Sequence, residues 1–233
     1  MDIKKKCANC GKINSLNDYP VDEYYKAINM PTKSGAKEYF KLWHFMIEGC
    51  HYCNYSSLDI AKASNSEKKV INSKEYQNIF LNKSLAELQK VGNSDLPNQV
   101  AYAFLMEKTE NYKEAGRAYL CASDFAYSQF IRWIIMEDDE SEKLTANDKK
   151  TRVLVENYCK ELFNRAIKNL KLAFKQNVNN ETEILLIGAL LSGEKEEVLQ
   201  AKLLLDDLKT RDLTDEEKLI ANYFDEVIAK QKA

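Results

Sequence analysis

Across residues 81–233 apolar side chains recur at helical spacing between short polar turns, and the pattern predicts an all-α array. One motif occurs three times in it: an alanine, a large residue four positions on, then a small or apolar residue three further on. Its copies are Ala115/Tyr119/Ala122, Ala166/Leu170/Ala173 and Ala201/Leu205/Leu208. The second and third copies start 35 residues apart, the first and second 51, which places an insertion around the polar stretch EDDESEKLTANDKK. A period near ~34 residues with small side chains at fixed places is the mark of tetratricopeptide helix pairs. The small residues let two helices approach closely, and the large one fills the space between neighbouring pairs.

The first unit runs from a helix beginning after Pro97, with Ala103 on it, through the turn TENYKEA to Ala115. The third pairs Gly188 with Ala201 across SGEKEE, while the middle unit is degenerate. An irregular helical bundle with alanines at its contacts is the competing reading. Under either, Phe125, Trp133, Phe163 and Phe174 belong to the core. The last segment, LTDEEKLIANYFDEVIAKQK, reads as a closing helix with Thr214 as N-cap and Glu217 completing a capping box.

Ahead of residue 60 the pattern is different. Asp22 to Asn29 predicts a short helix before the Met30-Pro31 break. Glu38 to Ile47 (EYFKLWHFMI) is aromatic and predicts a strand, with a helix as the rival, since short apolar runs are ambiguous by period alone. From Ser57 to Glu75 the chain is polar, and a short helix and a loop are expected.

The chemistry of this region lies in two Cys-x-x-Cys pairs, Cys7/Cys10 in CANCGK and Cys50/Cys53 in CHYCNY. A structural Zn²⁺ takes four thiolates at ~2.3 Å in a tetrahedron, and two intervening residues let a tight turn aim both sulfurs of a pair at one point. Gly11 after the first pair, and Asn54 after the second, are the residues that best tolerate the positive φ closing such a turn. Lys5, Lys6 and Lys12 flank the first pair, where positive charge favours thiolate. Cys7, Cys10, Cys50 and Cys53 are therefore the expected ligands of one structural zinc.

Other uses of these residues are less well supported. A thioredoxin-type pair wants a βαβ unit around its CxxC, and no strand is expected from the sequence ahead of CANC. No apolar signal-peptide core follows MDIKKK, which argues against secreted disulfides. Cys121 and Cys159 sit in apolar helical patterns and read as buried, inert thiols. His51 reads as a knuckle-surface residue and His44 as structural. Four thiolates close the shell, whereas a catalytic zinc keeps a position open for water. The predicted fold is thus mainly α: a small α+β zinc-ribbon-like domain at 1–60, a connecting segment at 61–80, and a tetratricopeptide-like helical domain at 81–233.

Composition narrows the role. Lys and Arg number 34 against 36 Asp and Glu, a net charge of −2, so no bulk charge recruits nucleic acid or an anionic membrane. Seven glycines and three prolines are few for 233 residues and favour helices over a β-sandwich. The longest aliphatic stretch, ILLIGALL, is too short to span a bilayer, and a soluble, cytoplasmic protein is expected.

Taken in order, CANCGK, CHYCNYSSLDIA, ENYKEAGRAYLCA and SQFIRWIIMEDDESE resemble an uncharacterised bacterial zinc-ribbon protein family with a tetratricopeptide-like helical tail. The likeness spans most of the chain, and the four knuckle cysteines are its specific part. It implies zinc and helical repeats, and no established activity.

Three classes of function follow. The first is a non-enzymatic interaction protein, a scaffold or adaptor with a protein or peptide partner, its groove on the first helix of each pair around Gln99, Tyr102 and Met106. The second is a nucleic-acid-associated zinc ribbon. Against it, eight lysines and seven acids in residues 1–60 sum to +1, and Zn²⁺ with four thiolates brings this to −1, where counterion release wants a basic stripe. The third is an enzyme. No Gly-rich phosphate loop, nucleophile elbow or HExxH is present, and acid pairs such as Asp138/Asp139 and Asp206/Asp207 read as solvated charge.

Overall fold

The first elements are two antiparallel hairpins. β1 (Asp2–Lys6) pairs with β2 (Ile13–Asn17), from Asp2 opposite Asn17 to Lys6 opposite Ile13. The much shorter β3 (Glu48–Gly49) pairs with β4 (Ser56–Ser57). The computed structural model describes residues 2–17, 47–90, 95–139, 146–192 and 195–231. The helix expected at 22–29, and all of the strand expected at 38–47 except Ile47, lie outside the described residues.

Nine helices follow among the described residues. The polar region after residue 57 forms α1 (Asn65–Ile71) and the start of α2 (Lys74–Ile79). α1 opens on a full capping box, in which the Ser64 hydroxyl accepts from the Glu67 N–H at 3.2 Å and the Glu67 carboxylate from the Ser64 N–H at 2.6 Å. α3 (Lys83–Lys90) leads to α4 (Leu96–Lys108), whose first turn holds Pro97, where a missing N–H costs no hydrogen bond.

The chain then makes two long helices, α5 (Tyr112–Asp139) and α6 (Ala146–Gln176). They run antiparallel, as the contacts Gly116–Leu170, Tyr119–Arg165 and Ser123–Cys159 show. α7 (Asn180–Leu191) starts from an Asn179 cap, α8 (Lys195–Leu208) folds back on it, and α9 (Asp215–Gln231) packs on both. The box expected at the last helix is present: the Glu217 N–H donates to Thr214 Oγ1 at 3.2 Å and the Thr214 N–H to the Glu217 carboxylate at 2.8 Å.

All nine residues of the three alanine motifs are buried, on α5, α6 and α8. Their helices do not alternate evenly, however. α4/α5 and α7/α8 each form a pair, but α6 follows α5 directly and spans 31 residues, so the middle motif has no short partner helix of its own among the described residues. Phe125, Phe163 and Phe174 pack against the core as expected, while the Trp133 side chain and His44 lie outside what is described.

One apolar cluster extends from Cys7, Cys50 and Tyr55 at the hairpins to Ile228 in α9. Continuity comes through α4, which is buried on nearly every side. Its Asn98 lies so close to β3 that a Cβ on Gly49 would come within 2.6–2.8 Å of the Asn98 side chain. Among the described residues no helix is long and apolar enough to cross a membrane.

Candidate metal centre

Each Cys-x-x-Cys pair forms the tip of one hairpin, and the two tips have the same internal wiring. In the first, the Cys7 carbonyl accepts from the Gly11 N–H at 2.9 Å and the Cys7 N–H donates to the Lys12 carbonyl at 2.9 Å. In the second, Cys50 accepts from Asn54 at 2.9 Å and donates to Tyr55 at 2.8 Å. Closing these turns requires a left-handed residue after the second cysteine. Gly11 has φ 74° and Asn54 φ 60°, the two positions singled out by spacing.

The tips meet. All four Sγ atoms lie within 4.8 Å of one another, with Cys7 to Cys53 at 3.7 Å and Cys10 to Cys50 at 3.6 Å. A tetrahedron of sulfurs at ~2.3 Å from a central ion has edges of ~3.8 Å, whereas a disulfide would draw two sulfurs to ~2.05 Å. All six cysteines are free thiols. The donor set fits Zn²⁺: four soft thiolates, one ion, and a filled coordination shell. His51 is exposed and stands outside the quartet, and Cys121 and Cys159 are buried on α5 and α6.

Charge explains why the quartet wants a cation. Burial pushes Cys53 up to about 12 and raises Cys7, despite N–H donors around both. Burial acts the same way on Cys50, but the Tyr52 and Cys53 N–H groups and the Asn14 amide outweigh it and lower Cys50 to about 7. The protein thus favours the Cys50 thiolate by its own donors, whereas burial disfavours the thiolates of Cys7 and Cys53, and a divalent ion would supply the charge that favours them.

Asn14, on β2, was not singled out by the sequence reading. It is 1% exposed and joins the two knuckles. Its Nδ2 donates to Cys50 Sγ at 3.5 Å and to the Lys12 carbonyl at 3.2 Å, while its Oδ1 accepts from the His51 N–H at 3.0 Å. Sequence carried no signal for it: alternation only sets Asn14 opposite Ile13, and it is the structure that shows Ile13 to be the exposed one.

The flanking lysines do not act as expected. Lys5 turns to carboxylates, pairing with Glu48 of the second hairpin at 2.5 Å and with Asp59 at 3.3 Å. Lys12 lies over the Tyr52 ring at 4.6 Å.

The helices hold the second knuckle from beneath. Tyr76 of α2 is fully buried; its hydroxyl accepts from the Ser56 N–H and donates to the Asn54 carbonyl, both at 3.0 Å. Gln77 donates to the Cys53 carbonyl at 3.2 Å and accepts from the Asn54 amide at 3.0 Å. The first knuckle is tied by the Ala8 N–H to the Ile60 carbonyl at 2.8 Å.

Gln99, Tyr102 and Met106, expected along an open groove, are only 2%, 4% and 7% exposed. α4 is apolar on most sides, so these residues are covered; Tyr102 and Met106 reach only the floor of a shallow cleft against residues 57–64. No family model matches the chain, and no curated protein or solved structure is similar to it.

Proposed function

We propose that the protein is a zinc-organised, non-enzymatic adaptor. In this reading a four-thiolate Zn²⁺ locks two knuckles onto a tetratricopeptide-like helical tail of the bacterial zinc-ribbon type, and the tail presents a concave face to a protein partner. The observation that carries it is the meeting of Cys7, Cys10, Cys50 and Cys53 within 4.8 Å, which leaves no coordination position for a substrate or water. Support for the repeat comes from the buried alanine motifs and the α4/α5 and α7/α8 pairs. Reduced thiolates suit the cytoplasm.

Elemental analysis of the purified chain is expected to read about one zinc per molecule, the number four thiolates hold. A value near zero refutes the metal. Cross-linking in the native cell should recover a protein at near-stoichiometric yield, and recovery of none refutes the adaptor role.

One observation favours a second reading, association with nucleic acid. Lys4, Lys6 and Lys12 are exposed, and Ile13 and Tyr52 are 62% and 57% exposed beside them. Salt-sensitive retention of DNA or RNA in a filter-binding assay would put this reading first.

A further inference from the structure

Away from the zinc hairpins, a cleft of about 920 Å³ opens between α5, α6, α7 and α9, with the first turn of α8 at its mouth. Its floor is apolar: Leu120, Leu191 and Phe224 are buried there, and Phe163 lines one wall. Gly188 of α7 lines the cleft too, where a Cβ would meet the Phe224 ring at 3.4 Å, an ordinary van der Waals contact. Tyr127 and Tyr223 stand at the edge, 53% and 41% exposed, in the amphipathic position aromatic side chains occupy at interfaces.

The charge of the rim is mostly negative. Asp124 comes from α5, Glu156 from α6, and Glu196 and Glu197 from α8. The single cation among the described lining residues is Lys160, and Glu156 pairs with it at 2.7 Å, one turn away on the same helix. The described lining residues therefore carry a net charge of −3, in a chain whose total is only −2. Carboxylates at this density repel phosphate, nucleic acid and anionic lipid.

We propose that this cleft is a docking groove for a basic amphipathic helix of a partner protein. The partner's apolar face would lie on the Leu120–Phe163–Phe224 floor and its lysines or arginines against the carboxylate rim. A helix fits better than a strand because the groove is walled by helix side chains and has no free sheet edge. An extended peptide would leave its backbone groups unpaired there, whereas a helix satisfies its own and needs to offer only side chains. The proposal rests on the adaptor reading and adds to it the face used and the chemistry of the partner.

The test uses the full-length zinc-bound chain and a fluorescein-labelled amphipathic helix of leucine and lysine, about 18 residues long. Fluorescence anisotropy follows binding from about 50 to about 300 mM salt. The lysine peptide is expected to bind at micromolar concentration, more weakly as salt rises, and its glutamate counterpart not to bind. Reversing Glu196→Lys with Glu197→Lys should weaken binding about tenfold or more. Asn164→Trp, which puts an indole into the cleft from an exposed position on α6, should abolish it.

A matched reversal outside the cleft, Asp212→Lys with Glu216→Lys, separates local recognition from bulk charge and should leave affinity unchanged. Equal weakening by the two reversals, or wild-type affinity in Asn164→Trp with unchanged helical circular dichroism, overturns the groove. Either result leaves the adaptor role to be judged by cross-linking, so the two failures are distinguishable.

Discussion

Removing one oxygen, in Tyr76→Phe, tests whether the metal module and the helices are a single cooperative unit. The ring stays: it packs against Phe80 and Phe104 with centroids 6.1 and 6.3 Å away, and Phe fills the same volume. What is lost is the hydroxyl that accepts from the Ser56 N–H and donates to the Asn54 carbonyl. These two partners fare differently. The Asn54 carbonyl keeps a second donor, Ser56 Oγ at 3.1 Å, so its loss costs about 0.5–1 kcal/mol. Ser56 is fully buried, so its orphaned N–H adds the larger desolvation penalty of about 1–3 kcal/mol.

The expected total is about 1.5–4 kcal/mol. With a urea dependence of ~2–3 kcal/mol/M, the unfolding midpoint falls by about 1 M. Two probes are followed in the same titration: zinc release to a chromogenic chelator and helical circular dichroism. Because the core runs without a break from Cys50 through Tyr76 to α4 and beyond, both midpoints should fall together. A fall in zinc retention alone, with the helical transition in place, would refute the shared core. A change below about 0.5 kcal/mol in both would refute the hydrogen-bond accounting.

Asn14→Asp keeps an acceptor for the His51 N–H but removes the donor to Cys50 Sγ and sets a negative charge beside four thiolates; chelator competition should show about 10–100-fold weaker zinc binding. Gly116→Ala would ordinarily stabilise a helix by about 0.5–1 kcal/mol. Here its Cβ would fall 2.6 Å from Leu170 Cγ and 3.0 Å from the Leu170 backbone nitrogen, so thermal denaturation should instead show a loss of about 1–3 kcal/mol. Glu114, beneath the Tyr102 hydroxyl, has its pKa raised by burial, against the pull of Arg117. The folded chain then holds that proton longer than the unfolded one, so the stability it contributes is full below the ordinary carboxylate range and lost as pH rises through the raised value. Glu114→Gln should remove this decline: its urea midpoint, compared with wild type, gains steadily from about pH 4.5 upward. A constant difference across pH would count against the assignment.

Those features that depend on neighbours along the chain were legible in the sequence. Gly11 and Asn54 could be picked out because a CxxC turn forces a left-handed residue at one fixed offset, and Thr214 because a cap and its glutamate are three residues apart. The alanine motifs marked buried faces correctly on α5, α6 and α8, since helical period fixes which side chains share a face. What periodicity leaves open is which element covers a face. The run VAYAFLM in α4 is apolar on every side, and a helix of that kind is surrounded rather than grooved. That signal argues against the open groove expected around Gln99, Tyr102 and Met106, but does not say that a cysteine hairpin would lie against the helix.

Asn14 shows the same limit from the polar side. In a strand reading INSLN, an asparagine beside serine looks like a solvent position, and alternation alone says only that it faces opposite to Ile13. Its burial follows from the partner hairpin, 36 residues away, whose Cys50 sulfur and His51 N–H supply the two bonds that make an inward amide tolerable. The ligands are thus local in sequence and the groups that orient them are not. For that reason a single chain discloses the candidate ligands before it discloses what orients them. It is also why Asn14, Tyr76 and Asn98, rather than the cysteines, are the positions where substitution tests how the cysteine cluster is tied to the elements around it.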